Sequence, residues 1–203
     1  MRSPESDSDV SFRHLEKLLP RQKAALNRLL HFYTLSILEL IIVPLIEQTA
    51  TVSLRALDWL VTNYSKKTNI VCISQGKEPF NIFHGYKVAL AHWRRKNFDP
   101  FRRRQRISFI INEKVFYTTV GQLNFIHWAC VNGVLDYAHA HAHEIENDMN
   151  TATAQNKLER KHQRARGVLH KRKELSAAPL SKCHVYNVTT RVSFVESDLK
   201  NKD

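Results

Sequence analysis

Glycine and cysteine are scarce in this chain of 203 residues, which holds five glycines and three cysteines. The glycines are scattered, so no phosphate-cradling glycine loop can be drawn. Cys72, Cys130 and Cys183 are far apart, odd in number and form no C-x-x-C pair. That argues against a disulfide scaffold or a cysteine zinc site and fits a reducing compartment. An uncharged run of membrane-spanning length is also missing. LELIIVPLIEQ, residues 38–48, is the most apolar stretch, but Glu39, Pro44 and Glu47 interrupt it, so no membrane span is expected. The opening MRSPESDSDV lacks the basic start and apolar centre of a signal peptide. No nucleophile motif is present, and Asp58, Asp99, Glu113, Asp136, Glu144, Glu146 and Asp148 lack the local spacing of a nuclease or glycosidase. The chain is therefore read as non-enzymatic, with no cofactor.

What is abundant is positive charge. There are 31 Lys and Arg against 19 Asp and Glu, a formal charge of +12. The excess sits in two short segments. Residues 94–106, RRKNFDPFRRRQR, hold seven cations, Arg94, Arg95, Lys96, Arg102, Arg103, Arg104 and Arg106, against the one acid Asp99. Residues 157–173 hold Lys157, Arg160, Lys161, Arg164, Arg166, Lys171, Arg172 and Lys173 against the one acid Glu159. A positive field localised in this way is the footprint of a protein that meets phosphate or another polyanion. A solvated face or a nuclear-localisation address is the competing reading.

Hydrophobic spacing organises the rest. Residues 1–10 read as a tail and 12–50 as an apolar N-terminal helical segment, with Pro20 dividing a short helix from a long one. A second helix is expected over 52–64, a loop over 63–69, a short strand at 70–73, a turn at 76–79 and a strand at 80–83. A helix over 86–96 should carry the first basic cluster at its C-terminal end, stopped by Asp99-Pro100. Residues 107–111 and 115–119 read as a hairpin, and Thr119 with Gln122 as a capping box opening a helix near Val120. That helix is apolar on several faces and should be central to its domain, with Asn132-Gly133 able to divide it. Residues 184–195 alternate as a half-buried strand, and 196–203 read as a tail. The fold class expected is α+β: a mostly helical single domain over 52–195 with a small antiparallel sheet made from the 107–119 hairpin, strand 184–195 and a contribution from 70–83.

Two constellations bear on chemistry. Arginines interleaved with Trp93, Phe98 and Phe101 suit nucleic acid, since guanidinium groups fork onto phosphate and rings stack on exposed bases. The phenylalanines themselves read better as core anchors. In YAHAHAHE, residues 137–144, helical spacing puts His139 and His143 on one face with Asp136 and Glu146, a spacing that could hold a divalent metal. Solvated helices pair histidines with acids at the same steps, and no other ligand motif is evident, so the expectation is no metal.

LDWLVTNYSKKTNI (57–70), FDPFRRRQRI (98–107) and TTVGQLNFIHWACVNGVLDY (118–137) together resemble an uncharacterised protein family of nucleocytoplasmic large DNA viruses, in which similar phrases occur in this order. The ending RKELSAAPLSKCHVYNVTTRVSFV, residues 172–195, is similar as well. The chain departs from that pattern at Arg102, where cysteine is common, and at His127, where arginine is common. The resemblance implies a viral gene product of the host cytoplasm or viral factory, packaged into virions in one version of that role, and supplies no activity. The function expected is binding of nucleic acid, DNA or RNA, with low sequence specificity, through the cations named above. The alternatives are a capsid or assembly protein that associates with itself or a viral partner through residues 35–46, and an enzyme of unknown class.

Overall fold

The computed structural model describes residues 12–76 and 78–166. The chain separates into two units, Met1–Glu159 and Arg160–Asp203. Of the second, residues 160–166 are described.

Strand β1 (Phe12–Arg13) lies antiparallel beside β4 (Arg106–Ile111), which pairs with β5 (Lys114–Thr119), giving the sheet order β1-β4-β5. The short helix expected before Pro20 is thus a two-residue strand followed by a turn. Its register, Phe12 opposite Phe109 and Arg13 opposite Ser108, is a long-range pairing that local spacing cannot reveal. The expected hairpin is present, and its turn residues Asn112 (φ 48°) and Glu113 (φ 63°) are both left-handed, as a two-residue hairpin turn demands. Among the described residues Val71–Ile73 (β2) and Pro79–Asn81 (β3) pair only with each other, so this stretch forms a second small sheet and does not extend the first. Strand 184–195 lies outside the described residues.

Helix α1 (Pro20–Leu30) starts on proline, whose missing N–H costs nothing in a first turn. The long helix expected over 20–48 breaks at His31–Tyr33, and Thr34 restarts it by accepting the Ile37 N–H on its hydroxyl. Helix α2 (Leu35–Glu47) contains a π-turn over Leu38–Ile42, where the Val43 N–H reaches back to the Leu38 carbonyl. Pro44 follows at once. Its ring would meet the carbonyl one α-turn back, and the widened turn is where the helix absorbs that proline.

The apolar residues of this region do not form an unsatisfied outer face. Leu26, Leu29, Leu38, Ile42, Leu45 and Ile46 are buried, and the buried Tyr33 donates its hydroxyl to the Leu123 carbonyl. Of the set behind the interface expectation for 35–46, Leu40 is the large side chain left exposed, at 77%. No single described helix is long and apolar enough to cross a membrane; α1 and α2 pass together only as a pair bent by 102°.

Helix α3 (Leu54–Trp59) is capped by Ser53 and runs on through a π-turn (Leu60–Tyr64) and a last α-turn (Ser65–Thr68), where a loop was expected. The polar side chains that suggest a loop bond backwards instead. Thr62, Ser65 and Thr68 each donate a hydroxyl to the carbonyl four residues earlier. Asn81 caps helix α4 (Ile82–Trp93), which begins four residues before the sequence reading places it.

Helix α5 (Val120–Val131) is the buried centre expected. Val120, Leu123, Phe125, Ile126 and Ala129 are at or near zero exposure. Gly133, at φ 69°, divides it from α6 (Val134–Ala140). A Cβ there would lie 2.2 Å from the Ile73 carbonyl oxygen, so only glycine lets β2 pass. A kink at His141 separates α6 from α7 (Ala142–Ala165). The mostly helical α+β architecture with a small antiparallel sheet is therefore borne out.

Candidate functional site

Helix α4 ends three residues earlier than expected, because Arg94 adopts φ 60°, ψ 151°. That conformation is nearly confined to glycine, and such strain persists only where surrounding structure over-determines it. Here the surroundings are the first turn of α5. Gly121 presents no side chain, and a Cβ on it would sit 3.4 Å from backbone atoms of Lys96, Asn97 and Phe98. The Asp99 N–H donates to the Gly121 carbonyl (3.2 Å), Asn124 Nδ2 to the Asn97 carbonyl (3.0 Å) and Gln122 Nε2 to the Pro100 carbonyl (2.9 Å). Phe98, 2% exposed, packs among Tyr86, Phe125 and Trp128. The FDPF and TTVGQLN phrases are thus two halves of one joint. Gln122 does not close the capping box. Its backbone N–H is held by Thr119, while its amide spans Pro100 and the Thr118 hydroxyl.

On this anchored segment all seven cations, Arg94, Arg95, Lys96, Arg102, Arg103, Arg104 and Arg106, are exposed. Arg103 lies 3.7 Å from Asp99 and over the half-buried Phe101 ring at 4.6 Å. Arg102 Nη1 donates to the Tyr117 carbonyl (3.3 Å) on β5. Phe98 is the core anchor the sequence suggests, whereas Phe101 is partly open and serves as a shelf for a guanidinium.

In the second basic segment Arg160, Lys161 and Arg166 are exposed. The Arg164 side chain and Lys171, Arg172 and Lys173 lie outside the described residues. The histidine stripe does not sit on one helix. His139 belongs to α6 and His143 to α7, with Asp136 and Glu146 on the corresponding sides of the His141 break. His141 stacks on Tyr137 at 4.3 Å. Among the described residues no three His, Cys, Asp or Glu side chains converge as metal ligands would.

One convergence escapes sequence reading. Asp58 of the LDW phrase lies within electrostatic reach of Asp99 and Arg103, and burial, with Asp99 adding and Arg103 opposing, pushes its carboxyl up to about 6. Tyr86 faces the same acids, and burial first, then Asp58, pushes its hydroxyl up to about 12. A carboxyl raised in the folded state favours its protonated form, so folding loses stability as pH climbs from about 4 through 6. Asp58→Asn should therefore raise stability above pH 6 by about 2 kcal/mol after discounting for partial exposure, with the gain vanishing below pH 4. Paired thermal melts of both chains across that range check it; a pH-independent difference would contradict the assignment.

Fold and site together describe a basic, mostly helical α+β protein. The chain belongs to the family described as "Family of unknown function (DUF7197)", whose model matches residues 5–197. It is 32% identical over 165 residues to "Uncharacterized protein L507" of Acanthamoeba polyphaga mimivirus, a match covering 76% of this chain and 64% of that protein. The chain thus spans under two thirds of that relative. The resemblance to a family of nucleocytoplasmic large DNA viruses holds. No solved structure matches it.

Proposed function

We propose that this protein is a non-enzymatic polyanion-binding component of a large DNA virus, acting on nucleic acid in the host cytoplasm or viral factory and entering the virion with it. The observation that supports this reading most is the docked basic segment. Seven exposed cations project from a backbone pinned at Asn97, Asp99 and Pro100 by the start of α5. A fixed backbone lowers the ordering cost of binding, and arginine side chains on it can meet successive phosphates without reading base sequence. Arg160, Lys161 and Arg166 add exposed charge on α7.

If about five cations contact phosphate, affinity should fall with salt at a log–log slope of roughly −4 to −5. Replacing Arg102, Arg103 and Arg104 by alanine should flatten the slope by about 2 to 3 and weaken DNA of any sequence alike. Fluorescence anisotropy over a salt series measures both. Unchanged binding by the triple variant would remove this site, and tight binding indifferent to salt would remove the mechanism.

A further inference from the structure

Where the β1 turn meets the hairpin, a cavity of about 210 Å³ opens between His14, Glu16, Lys17, Gln105, Arg106 and Tyr117. His14, at φ 63°, turns its ring back onto the sheet, where Nδ1 lies 2.8 Å from the hydroxyl of the buried Ser108. That contact holds one wall in place. Tyr117 forms another wall, its ring centroid 6.5 Å from that of His14 and 32° from parallel. Lys17 and Arg106 supply cations at the rim, and the Tyr117 carbonyl carries Arg102, which joins the cavity to the basic segment.

We infer that this cavity receives one unpaired base of a single-stranded nucleic acid whose phosphates lie along Arg102, Arg106 and Lys17; the inference rests on the polyanion reading and names its ligand class. The volume is below the roughly 300–1,000 Å³ of pockets for drug-sized molecules, which suits a flat ring better than a whole nucleotide. The walls offer what a base face needs, an aromatic ring 46% exposed beside a second ring, and what its edge needs, an amide in Gln105 and a carboxylate in Glu16 able to accept from an exocyclic amine. Glu16 also repels phosphate from its own side, leaving the strand's backbone to the cations. A duplex keeps its bases stacked inside and cannot fill the cavity.

The test uses the full chain and labelled DNA of equal length, single-stranded or duplex, with heparin as a base-free polyanion, at one fixed salt concentration. The single strand should bind more tightly than the duplex. Tyr117→Leu, which keeps apolar bulk at an exposed position, should weaken the single strand by about 5- to 150-fold and leave duplex and heparin unchanged, whereas Tyr117→Phe should bind as the parent does. Melting temperatures matched to the parent would show that the variants fold; if Tyr117→Leu does not, competition of free nucleotides with the single strand on the parent chain gives the same answer. Equal binding of both DNA forms, or no effect of Tyr117→Leu, would overturn the cavity assignment while leaving polyanion binding intact. Failure to bind DNA and heparin alike would overturn both.

Discussion

Removing residues 1–50 should abolish cooperative folding rather than release a working remainder. Leu26, Leu29, Tyr33, Leu38, Ile42 and Leu45 are each at most 5% exposed, and they cover the core around Leu123 and Ile126 of α5. Burying an aliphatic or aromatic side chain of this size stabilises by about 1.5–3 kcal/mol, so six of them exceed the roughly 5–15 kcal/mol by which domains are usually stable, or come close to it. The deletion also strips β1 from β4 and leaves Phe109 without Phe12. Circular dichroism melts and light scattering should show a chain without a sharp transition that associates non-specifically. A cooperative melt near that of the full chain would mean that the segment is an appendage after all.

Gln122→Ala should cost about 2–4 kcal/mol, a fall in Tm of roughly 5–15 °C. The side chain is fully buried, and its loss leaves the Pro100 carbonyl and the Thr118 hydroxyl without the partners that hold them at 2.9 Å. Gln122→Glu should be worse, since a carboxylate cannot donate to Pro100 and would be charged in the core. The basic segment would then lose one of its three pins, so affinity for a polyanion should drop while the salt slope, which counts cations, stays the same. Calorimetry and the anisotropy series separate the two effects. A variant that melts like the parent would show that Asn124 and Gly121 suffice to hold the joint.

The parts of the fold legible in the sequence are those fixed by neighbours along the chain. The β-branched and aromatic residues of 107–111 and 115–119, the hydroxyl of Thr119 ahead of Val120, and Gly133 inside an apolar run each specify local geometry that the structure repeats. What stayed hidden depends on distant partners. Two residues, Phe12 and Arg13, become a strand only because β4 offers an edge. The polar run after Val61 is held against distant elements, with Ser65 fully buried and Lys67 paired to Asp148 of α7. The seven cations of the candidate site were legible as a cluster, but the reason for their fixed placement was not. That reason is Gly121, Gln122 and Asn124 meeting a loop more than 20 residues upstream, as Asp58 meets Asp99. Spacing within either phrase carries no trace of those contacts.

The guanidinium that Arg102 places on the Tyr117 carbonyl has a consequence for solubility. Among the described strands β5 is an edge, and the exposed Val115 and Tyr117 side chains flank its unpaired backbone. Such edges invite a second strand, and a cation set against them is a common guard against aggregation. A phosphate that draws Arg102 away therefore uncovers the carbonyl it was shielding, so that ligand and edge compete for one side chain. Under the proposed function, occupation of the basic segment and exposure of the β5 edge are therefore coupled through Arg102.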